Sequence, residues 1–351
     1  MALSATQRSV IEKARSLGSG DQGVSLDDSA CVYLTALIAH DLGLHKKFPE
    51  LPGELPPFFG SQPLFHLAIP GLPFLPLFER LVGLTRDADM YFACLATLHK
   101  ARLKYSIILQ TQPIPTIEQV GPRGLLQYGT ASARAITALL FWRKWFFDID
   151  NRAGQETGYL FEPIIANAIG GIPASATKSP IRRHADTAKG RQADCIRNKR
   201  AYEFKIRVTI AASGQGRWRE EIEFPLDCRA SGFVPVLVVL DPTPNPKLAE
   251  LERAYLDYDG EVYVGEAAWQ HLDAAAGPTM TTFLEKYVRS PIQSLLAEVP
   301  ARLPEFVARM EDNSIVLVVA GETIRITRAS AEADAEEPCP LPDDADEQIP
   351  G

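Results

Sequence analysis

The 351-residue sequence lacks the features that mark secreted, membrane-spanning or zinc-stabilised proteins. It has only five cysteines, an odd and scattered set without a CxxC pair, which supports neither a disulfide framework nor a zinc site. No apolar run approaches membrane-spanning length, and the first residues do not resemble a secretory signal peptide. We therefore expect a cytoplasmic protein in a reducing environment.

Two common catalytic constellations are also missing. Five of the six histidines have no metal-ligand spacing and are interpreted as structural or surface residues: His40, His45, His66, His99 and His271. The glycine-rich stretch 18–23 lacks the Lys-Ser/Thr of a phosphate-binding loop, so it predicts only a turn. These absences disfavour zinc hydrolases and P-loop nucleotide hydrolases.

The chain as a whole has no excess of positive charge, but one segment does. The formal net charge is −8, and eight acidic residues after Arg328, where no Lys or Arg follows, account for all of it. We expect this acidic tail, residues 331–351, to be disordered. Between Lys178 and Arg219, twelve basic residues and only three acidic ones give a net charge of +9. A positive field of this density favours a polyanion as the binding partner.

The pattern of apolar residues divides the chain into two regions before the tail. Residues 1–150 form a mainly helical region that we expect to serve DNA contact, dimerisation or both. Its predicted elements are helices over 4–17, from 26 to 40 or beyond, over 87–110 and over 124–147, with an irregular proline-rich connection over 49–76.

Residues 151–330 have an α/β pattern. A helix ends at Gly170-Gly171, with Pro163 marking its start or a kink, and the continuous apolar run 233–240 is typical of a strand buried on both faces. The remaining predicted elements are a turn or loop at 214–216, a helix over 247–258, a strand over 261–264, a helix over 266–275 and a hairpin around 320–321. The fold class is therefore α/β, with a mixed β-sheet flanked by helices behind a helical N-terminal region.

The most informative stretch is residues 190–205, GRQADCIRNKRAYEFK. Residues 193–197 and 200–206 are predicted strands, and Asn198-Lys199 suits the tight turn between them. This register sets Arg197 opposite Arg200 and Asp194 opposite Glu203.

Facing residues in such a hairpin have Cβ atoms roughly 4.5–5.5 Å apart, so Asp194 and Glu203 repel unless a cation lies between them. Mg²⁺ suits this position because it prefers oxygen ligands and takes one or two carboxylates with phosphate and water. Lys205 lies on the same face as Glu203, whereas Cys195 points to the opposite face and is predicted to be a core residue. A charged surface hairpin with a cross-strand ion pair is the alternative interpretation.

Asp194 followed by Glu203-Phe204-Lys205 resembles the PD-(D/E)xK nucleases, with Ala193 where that pattern often has proline. Within that group the sequence is similar to the ApaLI-like type II restriction endonucleases over roughly residues 150–290. The similarity rests on GYLFEPIIANAIGG at 158–171, YEFKIRVTIAASG at 202–214 and VLVVLDPTPNP at 236–246.

The resemblance implies a restriction-endonuclease-like core and an Mg²⁺-dependent endonuclease that cuts double-stranded DNA at a short palindrome, with a GTGCAC-like site as the candidate. Asp194, Glu203 and the main-chain carbonyl of Phe204 are the implied metal ligands, and Lys205 orients or deprotonates the attacking water. Glu162 on the preceding helix is the implied additional carboxylate, with Glu156 as its alternative. As a carboxylate at a helix start, Glu162 could equally have a structural role.

The basic residues near the hairpin are the candidate DNA contacts, although a solubilising role is the alternative. They are Arg182, Arg183, His184, Lys189, Arg191, Arg207, Arg217 and Arg219. A palindromic target implies a homodimer, and a cognate methyltransferase acting on the same site is a further expected partner. A structure-selective DNA repair or recombination nuclease and a non-catalytic DNA-binding protein are the alternative functions.

Overall fold

The computed structural model describes residues 3–17, 22–206, 215–241, 243, 246–298 and 302–329. The acidic tail and Arg207 lie outside the described residues, as does most of the glycine-rich stretch 18–23. The chain forms two compact units. The first comprises the described parts of Met1–Ser106 and Asp150–Val299, and the second comprises Ile107–Ile149 with the described part of Pro300–Gly351.

Helices dominate the first half of the chain, as its apolar pattern predicts. Ser4 caps the first helix in a capping box with Gln7, and the Asp27 carboxylate accepts a hydrogen bond from the Ala30 amide at the start of the second. Residues 30–39 of the second helix are all buried, so this helix is central to the core. The six helices are α1 Ala5–Arg15, α2 Asp28–Asp41, α3 Phe74–Leu84, α4 Ala88–Thr111, α5 Ile117–Val120 and α6 Ala133–Ala168.

Helix α6 differs from the sequence prediction in its extent. The predicted start at Gly124 is wrong, because residues 121–127 form a 3-10 helix. The segments predicted as separate helices over 124–147 and 159–169 belong to one helix that passes through Pro163. Pro163 has no N–H, so the carbonyl four residues earlier loses its helical donor while the helix continues. The predicted stop is confirmed, since Gly170 adopts a φ of 72° after the last helical residue.

The sheet of the first unit has five strands in the order β1-β2-β3-β4-β5. The first three pair antiparallel and the last three pair parallel, so the sheet is mixed as predicted. Asn198 and Lys199 have φ values of 46° and 66°, which confirms a tight turn between β2 and β3. The strands are β1 Ile172–Ala174, β2 Ala193–Arg197, β3 Arg200–Lys205, β4 Val234–Val239 and β5 Glu261–Val264.

Helices cover both faces of this sheet. On one face, Tyr202 and Phe204 of β3 share a core with Ile164 and Ile165 of α6 and with residues of α2, α3 and α4. On the other face, side chains of β3 and β4 share a smaller core with the helices that follow β3 and β4. The remaining helices are α7 Gln215–Ala230, α8 Pro246–Leu256, α9 Glu266–Leu284 and α10 Ser290–Ala297, with a π-helical turn at Glu285–Arg289 between the last two.

Helix α7 corrects a second prediction. Residues 214–216 are predicted as a turn or loop, but Gln215 begins a 16-residue helix. The glycines and Pro225 suggest chain breaks in the sequence, and the charged first half of the helix carries no apolar periodicity. The helix forms because Phe224 and Cys228 pack on the sheet, so tertiary contacts override a weak local pattern.

The second unit contains a three-stranded antiparallel sheet in the order β6-β7-β8. Its strands are β6 Phe306–Glu311, β7 Ser314–Val319 and β8 Glu322–Thr327, so the predicted closing hairpin is confirmed and β6 is an addition to it. Trp145, Ile315 and Ile326 form the centre of its core. Among the described residues, no helix is long and apolar enough to cross a membrane.

Candidate active site

Asp194 on β2 is the most strongly perturbed acid of the predicted site. Asp194 is only 9% exposed, and its Oδ2 accepts a 2.8 Å hydrogen bond from the main-chain N–H of Phe204. Burial raises the pKa of Asp194 well above its ordinary value, and the negative charges of Glu203 and Glu162 raise it further. The Phe204 N–H and the positive charge of Lys205 act in the opposite direction on this pKa. Three carboxylates therefore act electrostatically on one another at this point of the fold.

The β2-β3 register confirms the predicted hairpin. Arg197 pairs with Arg200, Ile196 with Ala201, and Cys195 with Tyr202. Beyond these pairs, the Asp194 side chain bonds to the Phe204 main chain, so the carboxylate is fixed directly against the second strand. Cys195 is fully buried, and burial raises its pKa to about 12, which confirms a core residue rather than a nucleophile.

Lys205 on β3 lies between two carboxylates. Its Nζ is 2.7 Å from Glu203 Oε1 and 3.4 Å from Glu221 Oε1. Burial by itself lowers the pKa of Lys205, but Glu203 and Glu221 outweigh burial and raise that pKa above its ordinary value. Lys205 is therefore positively charged at neutral pH. This charge suits it to stabilising and orienting anionic groups, since a charged ammonium cannot accept a proton from water.

Glu162 lies on α6 beside Asp194, whereas its alternative Glu156 does not contribute to this cluster. The Lys104 Nζ contacts both carboxylate oxygens of Glu156 at 2.9 Å, so that acid belongs to a separate ion pair. Glu162 and Asp194 line a common cavity of about 250 Å³. The full lining is Tyr159, Glu162, Pro163, Pro173, Ala174, Ser175, Gln192, Ala193 and Asp194.

The donor set fits a hard divalent cation that keeps part of its hydration shell. Carboxylate oxygens of Asp194 and Glu203 and the Phe204 carbonyl are oxygen donors. A cation would offset the burial and the repulsion by Glu203 and Glu162 that disfavour the ionised form of Asp194. Within the described ranges, no group of three His, Cys, Asp or Glu side chains is arranged so that it could hold a metal ion. A closed cage is not what Mg²⁺ requires, because it usually takes only one or two carboxylates together with water and phosphate.

Two glycines let the chain approach itself closely around this site. A Cβ on Gly190 would overlap the carbonyl oxygen of Ala176, and a Cβ on Gly171 would overlap the Sγ of Cys195. In each case a residue beside β1 lies directly against a residue on or beside β2. The positions of Asp194 and Cys195 therefore depend on glycine at positions 171 and 190, where a side chain would clash.

Five of the predicted DNA contacts lie on the loop that precedes β2: Arg182, Arg183, His184, Lys189 and Arg191. The side chains of Arg182, His184 and Lys189 are exposed, with Lys189 Nζ 3.7 Å from Asp186 Oδ2. Arg183 Nη1 forms a 2.8 Å ion pair with Glu220 Oε1 on α7. The loop backbone is fixed by side chains, because Ser231 Oγ accepts from the Arg182 N–H and Asp227 Oδ1 accepts from the His184 N–H.

Arg191 is placed differently from the other basic residues. It is only 6% exposed, its Nη2 donates to the main-chain carbonyl of Glu220, and its Nε lies 3.6 Å from Asp227 Oδ2. The guanidinium is used inside the protein to join the loop to α7. This placement favours a structural role over a phosphate contact for Arg191.

Of the predicted DNA contacts after β3, only Arg219 has a described side chain. The Arg217 side chain lies outside the described residues, as Arg207 does, although position 217 itself belongs to α7. Arg219 is exposed and pairs with Glu223 at 2.6 Å. Trp218 packs partly against the second core and donates to Glu250 Oε1 at 3.3 Å, which indicates a packing role.

Sequence reasoning missed the acidic residues of α7. Glu220, Glu221 and Glu223 pair with Arg183, Lys205 and Arg219, respectively. They therefore neutralise part of the basic segment that ends at Arg219. These acids follow Arg219 directly in the sequence. Their ion pairs could not be predicted, however, because they depend on residues 215–230 forming a helix that packs on the strand of Lys205.

Comparisons with known proteins identify the family to which the chain is similar. The sequence matches the ApaLI-like restriction endonuclease family over residues 77–289, a range that contains Glu162, Asp194, Glu203 and Lys205. The type II restriction enzyme ApaLI of Acetobacter pasteurianus is 41% identical over 333 residues, covering 86% of this chain and 88% of that enzyme. No solved structure gives a significant match to the chain.

Proposed function

Because the chain belongs to the ApaLI-like restriction endonuclease family and is a type II restriction endonuclease, we propose that Asp194, Glu203 and Lys205 hydrolyse DNA phosphodiesters. The observation that carries this proposal is the buried Asp194 carboxylate, whose pKa is raised by burial, Glu203 and Glu162 next to a charged lysine. A protein without a ligand for this cluster would gain little from burying like charges together.

The proposed cofactor is Mg²⁺, held by Asp194, Glu203 and the Phe204 carbonyl. When bound, the ion would act as a Lewis acid and lower the pKa of a water molecule. The remaining roles belong to residues of the chain. The Phe204 N–H fixes the Asp194 carboxylate, Lys205 orients the attacking water and offsets negative charge on the phosphate, and Glu162 orients a water from the cavity side.

The proposed substrate is double-stranded DNA with a short palindromic recognition site, for which a GTGCAC-like sequence is the candidate. The exposed side chains of Arg182, His184 and Lys189, with Arg183, are the proposed phosphate contacts because they extend from the loop next to β2. Arg219, Arg217 and Arg207 remain further proposed contacts. A host that carries this activity needs its own sites protected, so we also propose a cognate methyltransferase as a functional partner.

We further propose that the enzyme acts as a homodimer, since a palindrome presents the same half-site to two copies. Support comes from the second unit, which is the smaller one yet has more than half of the exposed large apolar side chains. These residues are Ile114, Ile117, Leu125, Leu126, Tyr128, Leu139, Phe147, Leu303, Phe306, Val307, Met310 and Ile324. The concentration of exposed apolar side chains on the smaller unit is the reason to propose this unit as the dimer surface.

The dimer is tested with Leu125→Glu/Leu126→Glu against a matched pair in the first unit, Leu295→Glu/Leu296→Glu. All four leucines are exposed. Sedimentation velocity should show monomers for the first double variant only, together with nicked rather than linear plasmid. An unchanged dimer in the first double variant would assign the interface elsewhere, and a monomeric wild type would end the dimer proposal.

The catalytic assignment is tested by incubating plasmid and Mg²⁺ with wild type, Asp194→Ala and Lys205→Ala. Wild type should give discrete fragments, whereas both variants should retard DNA in gels without cutting it. Glu162→Ala and Glu156→Ala form a matched pair on α6, and only the former should slow cleavage. Full activity of Asp194→Ala would remove the proposed site. Fragments without a common end sequence would favour a structure-selective nuclease, and binding without any nicking would favour a non-catalytic protein.

A further inference from the structure

We propose that Glu221 is a positioning residue that holds Lys205 when Glu203 turns to the metal ion. The proposal rests on the proposed function, because it assumes that Glu203 is a metal ligand. In the structure Lys205 Nζ contacts Glu203 Oε1 at 2.7 Å and Glu221 Oε1 at 3.4 Å. The lysine therefore has a short ion pair with one carboxylate and a second carboxylate within reach.

The place of Glu221 on its helix is unusual for an acid. Phe224 and Cys228 of α7 are buried against β3 and β4, and position 221 precedes them by three and seven residues. These intervals put all three side chains on one helical face, where an apolar residue is the usual choice. Glu221 is instead a carboxylate whose side chain is only 28% exposed. The sheet face below it holds Glu203 and Lys205, which alternate with the side chains of Tyr202 and Phe204.

A single lysine cannot serve both of its roles if Glu203 is its only partner. An ammonium group bound to Glu203 Oε1 competes with a cation for this carboxylate. A second acceptor removes this conflict, because Lys205 keeps an ion pair while Glu203 is released. Charge balance supports the exchange, since Glu203 is neutralised by the cation at the same time as it loses the lysine.

Tyr255 gives a second indication that Glu203 and Glu221 act on the same buried region. Its side chain is fully buried in the same core as Phe224 and Cys228, and its hydroxyl lacks a hydrogen-bond partner among the described residues. Burial and then Glu203, with smaller contributions from Cys228, Asp194 and Glu221, raise the pKa of this hydroxyl. Both carboxylates therefore act on one buried group, as expected if one lysine can pair with either of them.

The test compares the full-length wild type with Glu221→Gln, Glu221→Asp and the matched control Glu223→Gln. Glu223 lies on the same helix and pairs with Arg219, so its replacement also removes one ion pair from α7. Cleavage rates are measured over a range of Mg²⁺ and DNA concentrations. Thermal unfolding is followed in EDTA and over the same Mg²⁺ range, where Glu221→Gln should need more Mg²⁺ than wild type for the same rise in melting temperature.

Glu221→Gln should need about tenfold more Mg²⁺ for half-maximal activity, or lose about 10–100-fold in kcat, with little change in KM for DNA, as for residues that orient metal ligands. Glu221→Asp should recover most of the loss, and Glu223→Gln should match wild type. An altered melting temperature with wild-type kcat and Mg²⁺ dependence would overturn the proposal, because it would show only a structural role.

Two further outcomes keep the test decisive. If Glu221→Gln does not fold, Glu221→Met replaces it, because an apolar residue suits this helical face. A wild-type Mg²⁺ midpoint with wild-type kcat in Glu221→Met would overturn the proposal. Asp194→Asn is run in parallel. Inactive Asp194→Asn with fully normal Glu221→Gln rejects only the role of Glu221, whereas an active Asp194→Asn rejects the proposed site itself.

Discussion

Asp194→Asn should destroy cleavage and at the same time stabilise the metal-free protein. The variant keeps the shape of the side chain, and its amide oxygen still accepts the hydrogen bond from the Phe204 N–H. It removes the negative charge that burial, Glu203 and Glu162 make unfavourable. Stability and activity are therefore expected to change in opposite directions at this residue.

The size of the effect follows from four contributions. A like charge at about 6 Å costs roughly 3 kcal/mol at an effective dielectric constant near 20, and the attraction of Lys205 offsets a comparable amount. Replacing a hydrogen bond to a charged acceptor by one to a neutral acceptor loses about 1 kcal/mol. The variant also avoids the free-energy cost of burying a charge. We therefore expect a net stabilisation of about 1–3 kcal/mol. For 351 residues this corresponds to roughly 1–4 °C in melting temperature.

The pH dependence gives a second check on the same reasoning. The folded-state pKa of Asp194 is raised above the unfolded value, so the folded wild type binds a proton more readily than the unfolded chain. Its stability therefore falls as pH rises from the ordinary aspartate pKa of 3.8 through the raised pKa, and the variant lacks this loss. The difference in melting temperature should be small at about pH 4 and larger at about pH 8.

Differential scanning calorimetry in EDTA at both pH values measures this difference, and a Mg²⁺ titration follows. Mg²⁺ should raise the melting temperature of wild type and have little effect on Asp194→Asn, because binding to the folded state stabilises it. A variant that melts lower than wild type at neutral pH in EDTA, or equal stabilisation of both proteins by Mg²⁺, would refute the reasoning.

Two pairs of substitutions test the segments that surround the site. Gly190→Ala should destabilise the protein by about 2–4 kcal/mol because its Cβ overlaps the Ala176 carbonyl, whereas Gly154→Ala, inside α6 with open space around it, should be neutral or stabilising by up to about 1 kcal/mol in urea unfolding. Arg191→Ala should cost about 3–5 kcal/mol because it leaves Asp227 buried without its partner, while Arg182→Ala should keep stability and only weaken DNA retention with a smaller salt dependence. Equal melting of the two glycine variants, or a stable Arg191→Ala, would contradict these assignments.

The sequence was sufficient for the β2-β3 hairpin because its information is local. Asn198 and Lys199 specify the turn, and side-chain alternation then fixes which residues share a face. The mixed sheet could likewise be predicted, since an apolar run such as 233–240 has few other solutions.

The sequence was not sufficient for contacts that arise between distant segments. Arg191 has the same local character as Arg182 and Arg183, and only packing against α7 distinguishes a buried guanidinium from an exposed one. Glu221 was missed for the same reason, because its partner Lys205 is 16 positions earlier and the helix that brings them together has no clear apolar periodicity. Long-range packing decides the role of these side chains, and it cannot be read from composition or spacing.

The tight Asn198-Lys199 turn has a consequence for how the protein folds. A hairpin with a two-residue connection closes in about 1–10 μs, whereas the parallel pairing of β3 with β4 must wait for a crossover of 28 residues to order. Asp194 and Glu203 therefore meet early in folding, when little of the surrounding protein can offset their repulsion. Divalent cations or mild acid present during folding would therefore increase the folding rate of this chain as well as the stability of its folded state.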